Sequence, residues 1–342
     1  MKRKSAPLPP PIVADDDDAD AENNTPAKRA RDDAALLEAH DAVAAHDGSQ
    51  PPAPLFGDET VRVVTRHGAL LTRLLVCCVR LGDECTLDFT RDAMTVRQLS
   101  SNRTAFVELV VPAASFDHYA LAKDSVSLTI QEKQVRQLAN LAKDDGKKKK
   151  AAGSKWLDLF WRHRAEPDFL SARVVDAEGG LVFALNLCDP LDSVAFSTSR
   201  YRHAMRVRLD ASAFARFIGQ QEKTKMLFVE FEPSEQRLRC IGRATSGTRT
   251  RIDSHTTVAS MERLLGARAD DELVFDDAYS LEVLLLANGF CSQAGEIALS
   301  FGRSAAADAP PPPPLLLQFA IEANAKPFAS ASALVVVRTD DE

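Results

Sequence analysis

Arg66, Arg73 and Arg80 recur at seven-residue intervals, which on a helix of 3.6 residues per turn sets three guanidinium groups within about 40° of one another. A row of that kind can hold the phosphates of a polyanion without reading its sequence. Lys133, Arg136 and Lys143 fall on a second helical stretch, followed by the run Lys147, Lys148, Lys149 and Lys150; Arg216 and Lys223 lie on or just after a third. Total charge does not create such a surface. The first 60 residues hold 6 Lys/Arg and 13 Asp/Glu, so residues 61–342 carry 36 of each sign, and any binding of a polyanion must come from arrangement. Residues 61–170 contain 18 basic and 13 acidic residues against 18 and 23 in residues 171–342, which makes the first half the stronger candidate. The helix expected at 278–290 has no basic residue and carries Glu282. The alternative reading of all these positions is an ordinary solvated helix face.

Other chemistry is poorly served. The seven histidines are scattered, and no sequence pattern for a zinc protease, a nucleophile elbow, a phosphate-binding loop or a dinucleotide site is present. The pairs Asp144-Asp145, Asp270-Asp271 and Asp276-Asp277 could hold a metal on paper, but each falls at an expected helix end or turn, where capping and solvated carboxylates are common. A non-catalytic protein with no cofactor and no metal is therefore expected. Trp156, Phe160 and Trp161 beside Lys155, Arg162 and Arg164 could stack on the bases of a single strand; packing against the chain itself or a partner is the commoner fate of such aromatics. The six cysteines include no C-x-x-C pair and sit mostly in apolar stretches, which reads as reduced, buried thiols in an intracellular compartment.

The elements that must position these residues begin near Val61. No apolar run of 18 or more residues exists and Met1-Lys2-Arg3-Lys4 leads into prolines, arguments against a membrane-spanning or secreted chain. Residues 1–60, rich in Pro, Ala, Asp and Asn, are too poor in apolar side chains to offset the entropy of ordering, so a disordered tail is expected, with one short helix near 34–45. Its clusters Lys2, Arg3, Lys4 and Lys28, Arg29, Arg31 have the chemistry that nuclear import receptors grip, or are simply solvated charge.

From Val61 the order is strand (61–65), helix (69–81), then strands at 85–89, 94–98 and 105–111; a helix at 131–142 and strands at 170–175 and 181–187 follow. The same order returns from Met205: strand 205–209, helix 211–221, strands 226–231, 237–241 and 252–258, helix 278–290, strands 297–301, 315–320 and 334–337. The two starts are 144 residues apart in a body of 282, as expected for a duplicated α+β unit. The domain expectation is a tail (1–60), a first domain (61–197, with an insertion at about 146–166), a linker (198–204) and a second domain (205–342).

The stretch from Arg80 to Phe106 resembles the first domain of eukaryotic sliding clamps, and Phe116-Asp117-His118-Tyr119 sits where those proteins carry a similar motif. Within that superfamily, Gly82-Asp83-Glu84 and Ser100-Ser101-Asn102-Arg103-Thr104-Ala105 look most like the Rad nine subunit of the DNA-damage checkpoint clamp. Phe214-Ala-Arg-Phe217 more weakly resembles the helix that opens the second clamp domain. The resemblance implies two tandem PCNA-like domains, each a curved antiparallel sheet with two helices on its concave side. It also implies double-stranded DNA in the channel, a ring closed by two other subunits or two further copies, a clamp loader ATPase, docking repair and replication proteins, and a nuclear location. Arg66, Arg73, Arg80, Lys133, Arg136, Lys143, Lys147, Lys148, Lys149, Lys150, Arg216 and Lys223 would face that channel. A homotrimeric polymerase processivity factor, including a divergent viral one, is the alternative. Ring closure by edge strands is expected near 105–111 and 237–241. The linker, with Arg200, Arg202 and His203, would overlie an apolar pocket for partner peptides. The lysine-to-tryptophan stretch, the prolines 310–314 and a disordered segment that precedes the domains depart from the family pattern.

Overall fold

The computed structural model describes residues 50–143, 155–176, 179–189, 203–221, 226–232, 235–243, 251–264, 275–302 and 314–336. All of them belong to one compact unit, Ala45–Glu342. The first half runs β1 (Val61–Thr65), α1 (Gly68–Cys78, prolonged by a 3-10 turn at Val79–Leu81), β2 (Glu84–Thr90), β3 (Ala93–Leu99), β4 (Ala105–Pro112), β5 (His118–Leu121), β6 (Ser125–Gln131), α2 (Glu132–Leu141), β7 (Trp156–Trp161), β8 (Phe169–Asp176) and β9 (Gly179–Cys188). The second half runs β10 (Met205–Asp210), α3 (Ala211–Gly219), β11 (Met226–Glu232), β12 (Arg237–Arg243), β13 (Arg251–Thr257), β14 (Ser260–Arg263), β15 (Phe275–Ser280), α4 (Leu281–Cys291), β16 (Ala294–Phe301), β17 (Leu315–Ala323) and β18 (Lys326–Val335). The order of elements is the same twice over.

The pairing repeats as well. β1 lies between β5 and β7, as β10 lies between β14 and β16. β2 lies between β3 and β6, as β11 lies between β12 and β15. The halves join where β18 pairs with β4, Ser330 opposite Val110 through to Val335 opposite Ala105. This seam makes one fourteen-stranded antiparallel sheet, with β11, β12, β13 and β15 forming a second sheet.

Local sequence explains why the helices start where they do. Gln131 and Gln134 form a reciprocal capping box at α2, and the Asp210 carboxylate accepts the Ala213 N–H at 2.7 Å to cap α3. α1 has no side-chain cap; it begins at Gly68 because a Cβ there would meet the Leu157 Cβ at 2.6 Å, so only glycine lets the helix sit this close to β7. The Ser100–Ala105 motif is a stapled turn between β3 and β4: the Ser100 hydroxyl donates to Asn102 Oδ1 and accepts from the Ala105 N–H, while Arg103 takes a left-handed φ of 57°. In the Phe116–Tyr119 motif Asp117 pairs with Arg66, and the Tyr119 hydroxyl reaches the Thr90 and Ala93 carbonyls at 2.7 and 2.9 Å.

Four expectations need correction. Trp156–Trp161, expected within an insertion, is a central strand between β1 and β8 with all six residues buried; both tryptophans are packing residues, unavailable for stacking on bases. The first part of the helix expected at 278–290 is the end of β15, because Ala278–Ser280 pair with Met226–Phe228. Residues 105–111 are not a free edge: β4 is consumed in the seam, and 237–241 lie inside β12, flanked by β11 and β13. Residues 50–60, expected in the disordered tail, are fixed against the sheet, because two buried guanidinium groups require the carbonyls they supply. Strands β5, β6 and β14 were not expected. The tail up to residue 49, most of the linker, Asp144-Asp145, Asp270-Asp271 and prolines 310–313 lie outside the described residues. No described helix is long and apolar enough to cross a membrane.

Candidate functional site

All four helices pack on one face of the strands. Alternate residues of β1, β7 and β8 (Val61, Val63, Leu157, Leu159, Leu170, Ala172) enter the same core as Leu71, Leu74, Val135 and Leu138 of α1 and α2. In the second half Val207, Leu209, Ile297 and Leu299 meet Phe214, Phe217, Ile218 and Leu284 there. α1 packs against α2, α3 against α4, and α1 against α4, so the helices stand in a row in the order α2, α1, α4, α3. The contact across the halves depends on Gly289 of α4, where a Cβ would lie 2.5 Å from Cys77 Sγ and 3.6 Å from an Arg80 guanidinium nitrogen. Arg80 therefore lies at the junction of the halves.

The apolar stripe of each helix faces the sheet, which turns the remaining positions to solvent. Arg73 and Arg80 are exposed at α1 and its 3-10 extension, Lys133 and Arg136 on α2, Lys143 just beyond it, and Arg216 on α3. Arg136 is held by Glu132 one turn earlier at 2.5 Å, and the Lys143 ammonium donates to Asn140 Oδ1 at 2.8 Å. Among the described residues Arg73, Arg80, Lys133 and Arg216 have no ion-pair partner. The strand arginines differ: Arg62, Arg97, Arg173, Arg206 and Arg208 each have a carboxylate within 4 Å. Four helix-borne cations are thus left unneutralised among the described residues, as are Arg103, Lys123, Arg164 and Lys326 outside the helices.

Arg66 departs from the seven-residue series. It precedes α1, pairs with Asp117 at 2.7 Å and lies 5.1 Å from the Trp156 ring centroid, so its guanidinium is committed to the fold. Lys147, Lys148, Lys149, Lys150 and Lys223 lie outside the described residues, as do Lys2, Arg3, Lys4, Lys28, Arg29 and Arg31.

The described thiols in the core beneath the helices are not activated. Burial pushes the Cys77 thiol up to about 11 and those of Cys85 and Cys291 up to about 12, which keeps them protonated and unreactive. Among the described residues no group of three or more His, Cys, Asp or Glu side chains is placed to hold a metal ion. Sequence reasoning missed a buried cluster on the opposite strand face, Arg62, Asp158 and Arg173, because its members are 96 and 15 residues apart and share no motif.

No family model and no curated protein matches this sequence. Solved structures do match the fold. The PCNA2–PCNA3 complex of Sulfolobus tokodaii aligns with a TM-score of 0.63 and 14% identity, over 81% of this chain and 99% of that one. Proliferating cellular nuclear antigen of Entamoeba histolytica aligns with a TM-score of 0.65 and 13% identity, over 82% and 100%. PCNA of Thermococcus kodakaraensis gives 0.62 and 16%, over 82% and 100%. The chain has the PCNA-like clamp fold, an α+β architecture of two tandem clamp domains.

Proposed function

We propose that this protein is a non-catalytic DNA sliding-clamp subunit that encircles duplex DNA within a three-subunit ring. The observation that carries the proposal is the pairing left unused by the repeat. Within the chain, the last strand of one half (β18) pairs with the fourth strand of the other (β4). Their counterparts are β9 and β13. Among the described residues, Gly179–Asn186 of β9 pair only with β8, and β13 pairs only with β12. A join of β9 on one chain to β13 on the next repeats the internal seam, a head-to-tail contact that can close a ring. β9 has no charged residue and leaves Leu181 42% exposed, although free edges are normally blunted by charge. The unpaired cations on the helical row supply the sequence-independent hold on phosphates that sliding requires.

The test is retention on DNA. Changing Arg73, Arg80 and Lys133 together to Glu is expected to weaken loading onto nicked circles, and each lost phosphate contact to flatten the log–log salt slope by about 0.9. Unaltered loading and slope would remove the DNA-clamp reading and leave a scaffold with the same fold.

The finer assignment is a member of a mixed ring in DNA-damage checkpoint signalling and repair, supported by the likeness of the Gly82–Glu84 and Ser100–Ala105 stretches to the Rad nine subunit. The second reading is a self-associating replication processivity factor, supported by the fold shared with proteins named PCNA. The mass of the purified full chain separates them: three chains in the absence of other proteins supports the second, and a single chain that enters a ring only with two others supports the first. A clamp loader ATPase and docking repair or replication proteins complete the proposal. Nuclear location rests on the basic clusters at Lys2–Lys4 and Lys28–Arg31, and relocation to the cytoplasm on changing both to Ala would be its check.

A further inference from the structure

The strand face turned away from the helices should be open to water, as one face of an antiparallel sheet commonly is. Over β1, β7 and β8 it is not. The register places Arg62, Val64, Trp156, Asp158, Phe160, Ser171, Arg173 and Val175 together on that face, and every one of them is buried. Two guanidinium groups there share one carboxylate. Arg62 donates to both Asp158 oxygens at 3.2 and 3.1 Å, and Arg173 donates to Oδ2 at 2.5 Å, so one buried positive charge is in excess. A charge buried this deeply needs further acceptors.

Residues preceding β1 provide them. The Pro52 carbonyl accepts from Arg62 Nη2 at 2.5 Å, and the next carbonyl, that of Ala53, accepts from Arg173 Nη2 at 2.7 Å. Pro52 is itself buried. Three residues on, the Phe56 ring lies 5.9 Å from Phe160 and 3.9 Å beneath the Arg162 guanidinium. Asp58 sits 3.0 Å from Arg162 Nε, close enough for an ion pair although off the line of an N–H hydrogen bond. Thr60 then joins the sheet by donating its N–H to the Trp161 carbonyl at 2.7 Å. The segment is thin. Pro51, Ala53, Pro54 and Phe56 are exposed on its outer side, and it is held at a few points in the manner of a bound peptide.

We propose that this face is a peptide-docking groove and that residues Gln50–Asp58 are its built-in occupant. The groove recognises an extended, proline-rich segment through two successive main-chain carbonyls (Pro52 and Ala53), an aromatic ring three residues further on (Phe56) and a carboxylate two residues beyond the ring (Asp58). The contact holds residues 50–58 on the strand face opposite α1 and α2, whatever closes the ring. Proline suits the role, since its fixed φ lowers the entropy lost on docking and its missing N–H leaves nothing unpaired on the solvent side.

The test uses the full chain with Phe56→Ala and Asp58→Ala together. Both side chains are more than one-third exposed, so folding is not at risk. Amide exchange across residues 53–58 is expected to quicken by about tenfold. A fluorescent synthetic peptide with the sequence of residues 50–60 is expected to bind the double variant saturably and not the unaltered protein, whose own segment fills the groove. The same peptide carrying both substitutions is expected not to bind. Equal exchange in the two proteins, no binding to the variant, or equal binding to both would overturn the proposal.

Discussion

Asp158 illustrates how one buried side chain can matter more than the exposed row on the other side of the sheet. It is 1% exposed and balances Arg62 and Arg173. Asp158→Ala leaves two cations without their counter-ion, and a loss of about 3–5 kcal/mol is expected in denaturant unfolding, because breaking a buried pair strands the surviving charge. A drop under about 1 kcal/mol would show that solvent reaches this face. His203 carries a pH signature. Burial holds its imidazole below the ordinary value of 6.5, against the pull of its hydrogen bond to the Pro314 carbonyl, and Arg206 lowers it further. Below pH 6.5 the unfolded chain takes up a proton that the folded chain resists, so this contribution is complete above 6.5 and declines as pH falls through that value towards the folded pKa. The melting temperature of His203→Gln, whose amide can still donate to Pro314, is expected to depend less on pH across that window; identical pH profiles would count against it. Asp158 could not have been singled out from the chain alone, since it stands in an apolar run, and His203, read as part of a basic linker, gave no sign of its burial.

At the scale of elements the repeat was legible because hydrophobic periodicity is local. α1, α2 and α3 appear within a few residues of where their apolar spacing places them, as do β2, β3 and β4. β7 was misread since a strand buried on both faces has no alternation to reveal it. The end of β15 was absorbed into a helix because Ala278–Ser280 continue smoothly into the apolar residues of α4. The open edge of β9 makes its own prediction. Leu181→Lys places a charge on an exposed side chain of that edge, and it is expected to lower assembly in sedimentation measurements while leaving the melting temperature unchanged. Assembly at the original strength would show that this edge is not the ring contact.

For the molecule as a whole, the consequential fact is which pairings the two halves use on each other and which they leave over. An internal seam that consumes β18 and β4 leaves one edge of β13 and most of one edge of β9 unpaired among the described residues, an outcome that depends on non-local registry between strands more than 200 residues apart. The amino-acid sequence alone determined that the chain holds two copies of one α+β unit, that the helices of the first copy carry spaced cations and that the thiols sit among apolar residues; periodicity and composition are properties of neighbouring residues. Tertiary structure alone decided that Arg66 belongs to Asp117 while Arg73 and Arg80 stay unpaired, that the tryptophans are core, and that residues 50–58 cover a buried pair of arginines. Each depends on groups that approach one another only after long-range strand pairing. A lone cation and a future salt bridge look identical until the partner carboxylate arrives.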